Sequence, residues 1–175
     1  MSPLRILLLS ALILVVFGVD ESSAEPSLEY AGSYDPLVSS FDVVVLENYA
    51  YIGTTQGLDI VNVEDPTNPT LEGSYDLDEY AYSITISGNY VYVASVEFVV
   101  LNVEDPTNPI FVGSYDTGTA YAESILISGN YAYAGDTNGL VILNIEEPAN
   151  VTFVGSYDAV EVHSIDILGN YAYIT

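Results

Sequence analysis

After residue 27 the chain is a succession of short apolar runs broken by turn residues, and the runs recur in a fixed order of four. Ser83–Ser87 (SITIS) predicts a first strand, a. Gly88-Asn89 follows, a pair that tolerates positive φ and marks a tight hairpin. Tyr90–Ala94 (YVYVA) predicts strand b, with tyrosines on one face and valines on the other. Phe98–Val103 (FVVLNV) predicts strand c, and Asp105-Pro106-Thr107-Asn108-Pro109 a turn in which proline presets φ and the aspartate caps. Ile110–Tyr115 (IFVGSY) predicts strand d. Outside the N-terminal region no segment carries a helical period.

Strand c distinguishes between architectures. In the third unit Leu140, Ile142 and Asn144 face one way, and Val141, Leu143 and Ile145 the other. A sheet with one wet face would alternate apolar with polar residues. Sheets that are apolar on both faces are expected where each is wedged between neighbours, as in the blades of a β-propeller.

Three markers repeat in step. Gly-Ser-Tyr-Asp occurs at Gly32–Asp35, Gly73–Asp76, Gly113–Asp116 and Gly155–Asp158. Asn-Tyr-x-Tyr occurs at Asn48–Tyr51, Asn89–Tyr92, Asn130–Tyr133 and Asn170–Tyr173. Strand c ends at Val63-Glu64-Asp65-Pro66, Val103-Glu104-Asp105-Pro106 and Ile145-Glu146-Glu147-Pro148. The expected organisation is all-β: a strand d alone at 28–34, units of roughly 41–75, 82–115 and 124–157, and a partial unit at 164–175. That amounts to about three and a half four-stranded antiparallel blades, either an open arc or a truncated ring. The final strand would then be an open edge suited to self-association.

Residues 1–24 read as a secretory signal, with Arg5 in a short positive start, an apolar run from Ile6 to Val19, and Ser22 and Ala24 as small residues before a cleavage point. The run is shorter than the roughly 20 residues a membrane-spanning helix needs. An uncleaved N-terminal anchor is the rival reading. The expected location is secreted or cell-surface.

Composition narrows the chemistry. The 175 residues hold 25 acids, one basic residue (Arg5), one histidine and no cysteine. Nucleic acid is excluded as a partner, because counterion release needs cationic side chains on phosphates. A basic membrane-surface patch is excluded on the same ground. Disulfides, thiolate nucleophiles and zinc–thiolate sites are excluded too. The acidity itself reads as a solubilised or salt-adapted surface.

The chain resembles the LVIVD-repeat proteins, a β-propeller family of exported bacterial and archaeal proteins. The naming strand stands here as Leu58-Asp59-Ile60-Val61-Asn62, Phe98-Val99-Val100-Leu101-Asn102 and Leu140-Val141-Ile142-Leu143-Asn144. The Asn-Tyr-x-Tyr stretch, the Pro-x-x-Pro turn and the Gly-x-Tyr strand complete the likeness. The family's terminal Asp is Asn in all three units, a change that keeps a hydrogen-bond acceptor. The resemblance implies a fold and no activity.

Candidate chemistry gathers at the loops from d to a and from b to c, which should share one mouth: Asp78, Glu79, Tyr80, Tyr82, Tyr121, Glu123, Asp136, Glu161 and His163. Tyr80, Tyr82 and Tyr121 suit stacking on sugars, whereas the tyrosines recurring in every unit suit interblade contacts. Asp136-Thr137-Asn138-Gly139 resembles part of a calcium loop, but lacks the later carboxylates, so Asp136 is a weak metal candidate beside a plain turn. His163 and Ser164 are neighbours on a strand and would point to opposite faces, which argues against a Ser-His pair. Asn150-Val151-Thr152 is an N-glycosylation sequon. No cofactor and no catalytic residue is expected. The leading expectation is a non-catalytic propeller that binds a protein or glycan, or serves as an envelope scaffold. The alternatives are a carboxylate-based glycosidase or lyase, for instance with Glu79 and Glu123 as a pair, and a calcium-stabilised module.

Overall fold

The computed structural model describes residues 14–20, 27–118, 122–158 and 161–175. Every regular element among them is a β-strand. Three complete four-stranded antiparallel sheets follow one another: β3–β6 (Ser40–Leu46, Tyr49–Thr54, Gly57–Asn62, Thr70–Asp76), β7–β10 (Ser83–Ser87, Tyr90–Ala94, Phe98–Asn102, Ile110–Tyr115) and β11–β14 (Ala122–Ser128, Tyr131–Asp136, Gly139–Asn144, Thr152–Asp158). In each the strands lie in chain order a-b-c-d, the meander of a propeller blade. A half-blade, β15 (Ile165–Leu168) with β16 (Tyr171–Ile174), supplies a and b of a further unit.

At the other end, strand d (β2, Ser27–Tyr34) is not alone. Leu14–Asp20, inside the span read as a signal, forms β1 and pairs antiparallel with it. Arg5, Ser22 and Ala24 lie outside the described residues. No helix among the described residues is long and apolar enough to cross a membrane.

The core lies between blades. Tyr51, Leu58 and Ile60 of the first blade meet Ile84, Val91, Val93, Val99 and Leu101 of the second. Tyr92, Phe98 and Val100 of the second meet Ala132, Val141 and Leu143 of the third. Leu140 and Tyr133 of the third meet Val162, Ile165 and Ile174 of the half-blade. Each strand c therefore gives one row of side chains to either neighbour. That is why its sequence is apolar without alternation, and burial of each such Leu or Val contributes about 1.5–3 kcal/mol. Tyr51 and Tyr92 are buried with it, and burial raises both phenols above their ordinary pKa.

Backbone groups latch blade to blade. The amides of Ala81, Ala122 and Val162 donate to the carbonyls of Thr54, Ser95 and Asp136, each on the end of strand b one blade back. Strand d approaches the next blade just as closely. A Cβ on Gly32, Gly73 or Gly113 would lie 2.4, 2.3 or 2.5 Å from the carbonyl of Pro66, Pro106 or Pro148 in the following c–d turn. The glycine of Gly-Ser-Tyr-Asp is thus a spacing requirement between blades. Every c–d pair also carries one bulge at the same step, just before that glycine.

The asparagine that closes strand c caps the turn after it. Asn62, Asn102 and Asn144 accept the amides of Glu64, Glu104 and Glu146 on Oδ1 at 3.0, 2.8 and 2.8 Å. The cap needs only an acceptor, which Asn supplies as Asp would, and Asn62 in addition donates its amide to Glu72 Oε2 at 3.4 Å.

Candidate functional site

Two positions just before or at the start of strand a change chemistry from unit to unit and point outward. Register from the a–b hairpins aligns Val43, Ile84, Ile125 and Ile165. Two residues earlier stand Phe41, Tyr82, Glu123 and His163, and two before those stand Ser39, Tyr80, Tyr121 and Glu161. Between the two positions lies the latch residue, buried as Ala81, Ala122 and Val162. A buried anchor flanked by two outward side chains is a display geometry; it arises at the entry to strand a, with Phe41 and Glu123 at bulges of β3 and β11 and Tyr82 and His163 just before β7 and β15. Both positions sit where the chain enters strand a, and the a strands of consecutive blades (β3, β7, β11, β15) lie side by side.

The displayed residues meet across blade boundaries in one pattern with two chemistries. Between the first and second blades, Phe41 meets Tyr80 and Tyr82 with ring centroids 5.7 and 5.2 Å away, and the two tyrosines lie 5.7 Å from each other. Phe41 and Tyr80 remain 40% and 47% exposed, so their ring surfaces are open to a ligand. Between the third blade and the half-blade, the same positions carry Glu123, Glu161 and His163. His163 Nδ1 lies 2.7 Å from Glu123 Oε2, and Nε2 lies 3.6 Å from Glu161 Oε2. Tyr121 lies outside the described residues.

Glu123, Glu161 and His163 form a group of potential metal ligands, one atom from each within 4.8 Å of the others. One imidazole with two carboxylates suits borderline divalent cations such as zinc or manganese better than calcium, which takes oxygen ligands. As arranged, both ring nitrogens are turned to carboxylates, an imidazole clamp joining two blades. Asp136 is not in this group. It is buried, and its Oδ1 accepts the amides of Asn138 and Gly139 at 2.6 and 3.0 Å. Thr54, its equivalent in the first unit, accepts the amide of Gln56 in the same way. The calcium-loop residue is therefore placed as the cap of the b–c turn.

Glu79 goes elsewhere. With Asp76 and Asp78 it lines a groove between the first and second blades, opposite Ser95, Val96 and Glu97. An equivalent groove one blade on is lined by Tyr115, Thr117, Asp136, Asn138 and Asp158. The expected mouth thus divides in two: a rim at the start of the a strands and grooves beneath the b–c turns. Glu79 and Glu123 fall on different sides of that division. Asn150 and Thr152, in and just after the c–d turn of the third blade, are exposed, while Val151 between them is buried in the interblade core.

One half-buried acid escaped the sequence reading. Asp59 occupies a strand-c position filled by Val99 and Val141 in the next units. It accepts a hydrogen bond from the Tyr34 hydroxyl at 3.4 Å. Burial raises the Asp59 pKa, a shift that the Tyr34 hydrogen bond opposes. Tyr34 is itself pushed up to about 12, by burial first and then by the Asp59 charge. The signal was an acid at a strand position that is otherwise apolar.

Three complete meandering blades and two two-stranded sheets, with interblade cores and latches, define a β-propeller architecture, open among the described residues. The LVIVD repeat matches four times in succession, at residues 39–77, 79–117, 119–159 and 161–175, and the chain belongs to that family. No curated protein matches it. Among solved structures it is similar to a functionally unknown protein from Desulfotomaculum acetoxidans DSM 771, at 14% identity and a TM-score of 0.70. That match covers 92% of this chain and 56% of the other, so the chain spans little more than half the length of its structural relative.

Proposed function

We propose that this chain is a non-catalytic binding propeller whose ligand docks on the rim formed by Phe41, Tyr80, Tyr82, Glu123, Glu161 and His163. The observation that carries the reading is the meeting of outward side chains across blade boundaries at equivalent positions, aromatic at one boundary and acid–imidazole–acid at another. Packing accounts for the constant residues. It does not account for aromatic rings at one blade boundary and an acid–imidazole–acid group at the equivalent place two blades on.

Carbohydrate is the ligand class that fits. The apolar face of a sugar ring stacks on exposed aromatics, and its hydroxyls donate to carboxylates. The test is a glycan array probed with the 175-residue chain, followed by titration of any hit with Tyr80→Ala and with Glu123→Gln. A hit weakened about tenfold or more by Tyr80→Ala supports the reading. Binding indifferent to both substitutions would sink it, as would turnover of the glycan.

Glu123 and Glu161 also keep the carboxylate-enzyme alternative in view. In that reading a Glu123→Gln variant loses hydrolysis while retaining binding, and the same titrations, run with a product assay, separate the two.

A further inference from the structure

Glu123, Glu161 and His163 are the one group of three potential metal ligands among the described residues, and they come from two blades. Glu123 sits at the bulge of β11, while Glu161 and His163 stand on either side of Val162, just before β15. The backbone beneath them is fixed. Val162 is 1% exposed, its amide donates to the Asp136 carbonyl at 2.9 Å, and its carbonyl accepts the Ser124 hydroxyl at 3.4 Å. The side chains above it have room to adjust, with His163, Glu123 and Glu161 60%, 36% and 48% exposed.

Hydrogen bonding alone does not satisfy this group. His163 Nδ1 faces Glu123 Oε2 and Nε2 faces Glu161 Oε2. A neutral imidazole carries one N–H, so it donates to one carboxylate, and its other nitrogen then turns a lone pair toward oxygen. A cation on that nitrogen removes the conflict, and Arg5 is the only Lys or Arg in the chain to offer one. We infer that Glu123, Glu161 and His163 bind one divalent ion of the zinc class, which staples the third blade to the segment leading into β15. Its two charges match the two carboxylates. The imidazole sets the group apart from the chain's many acids, because a nitrogen donor favours zinc over calcium or magnesium, which take oxygen. Bonds of about 2.0–2.2 Å to a tetrahedral ion hold its ligand atoms about 3.4 Å apart. Here the three atoms lie within 4.8 Å of one another, so the exposed side chains close by roughly 1 Å while the latched backbone stays in place. Three protein ligands leave a fourth position open. The assignment holds whatever docks on the rim. At the boundary of the first and second blades the same places carry Phe41, Tyr80 and Tyr82, with neither imidazole nor carboxylate, so one ion per chain is expected.

The test is calorimetric titration of zinc chloride into the metal-free, untagged 175-residue chain, with millimolar calcium present to occupy the general acidic surface. One zinc per chain is expected. His163 is the only histidine, so its ring-proton resonances report the contact directly and should shift with the same saturation. His163→Ala and Glu123→Gln should each weaken binding about tenfold or more, whereas Glu79→Gln, in the groove, should leave it unchanged. At about a hundredfold excess over Kd, zinc should raise the melting temperature of the parent by roughly 5 °C, and the rise should vanish in Glu123→Gln. Absence of saturable binding overturns the inference. So does zinc binding that His163→Ala leaves intact, or ring resonances that do not move. A melting rise that survives Glu123→Gln overturns the staple, since the ion would then sit on one blade alone.

Discussion

Replacing Gly73 by alanine tests the interblade spacing, with Gly155 as its internal control. Both glycines hold the same place in strand d, and neither has a positive φ, so the backbone accepts alanine at each. Their surroundings differ. A Cβ on Gly73 would stand 2.3 Å from the Pro106 carbonyl oxygen and 3.1 Å from the Thr107 carbonyl carbon, whereas at Gly155 nothing lies within 4 Å. An ordinary carbon–oxygen contact is more than 3 Å, so the second blade's c–d turn must retreat by roughly 1 Å. Both atoms in the way are backbone, so no side chain can rotate aside. Overpacking of this kind costs about 1–3 kcal/mol. Alanine also restricts the unfolded chain, a gain of about 0.4–1 kcal/mol common to both sites. Gly73→Ala is therefore expected to destabilise by about 1–2 kcal/mol, and Gly155→Ala to be neutral or slightly stabilising. Urea unfolding followed by tyrosine fluorescence reads this directly, since the chain has 16 tyrosines and no tryptophan. With a slope of about 1–3 kcal/mol per molar urea, the two midpoints should separate by roughly 1 M. Equal midpoints would refute the claim that the blades touch at this glycine.

Further outcomes follow from other contacts. Asn102→Ala should cost about 1 kcal/mol by uncapping the turn at Glu104, while Asn102→Asp should cost little, read as urea midpoints. Because burial raises the Asp59 pKa above its ordinary 3.8, the folded chain binds that proton more tightly than the unfolded chain, and stability falls as pH rises through the raised value. Asp59→Asn removes the charge and keeps the acceptor for Tyr34. Thermal melts should show a gain at pH 7 that shrinks toward pH 4; a loss at pH 7 would reverse the sign of the argument. Tyr80→Ala and Glu123→Gln should leave the unfolding free energy within about 0.5 kcal/mol of the parent, as surface changes do, while altering ligand binding.

The repeat made most of the fold legible. Asn-Tyr-x-Tyr and Gly-Ser-Tyr-Asp mark a hairpin and an interblade contact that each unit must satisfy, so they recur wherever a blade does. Leu14–Asp20 lies inside the apolar run read as an export signal, and its pairing with β2 is visible only in the structure, because an unbroken apolar run suits a signal core and a propeller strand alike. The rim was legible in part. Tyr80, Tyr82, Glu123, Glu161 and His163 lie together at the start of the a strands, but Phe41 was missed because, within its own unit, it looks like one more apolar strand residue. Only alignment with Tyr82, Glu123 and His163 marks it as displayed. Glu79 and Asp136 were grouped with the rim because sequence order puts all the loops at one end, and it does not resolve the grooves beneath the b–c turns.

The anchor between the displayed residues has a consequence for how such a protein can change. Ala81, Ala122 and Val162 hold the backbone through their own amides, so that hold does not depend on which side chains stand on either side. On the binding reading proposed above, such units could exchange what they display without moving the strands that carry it.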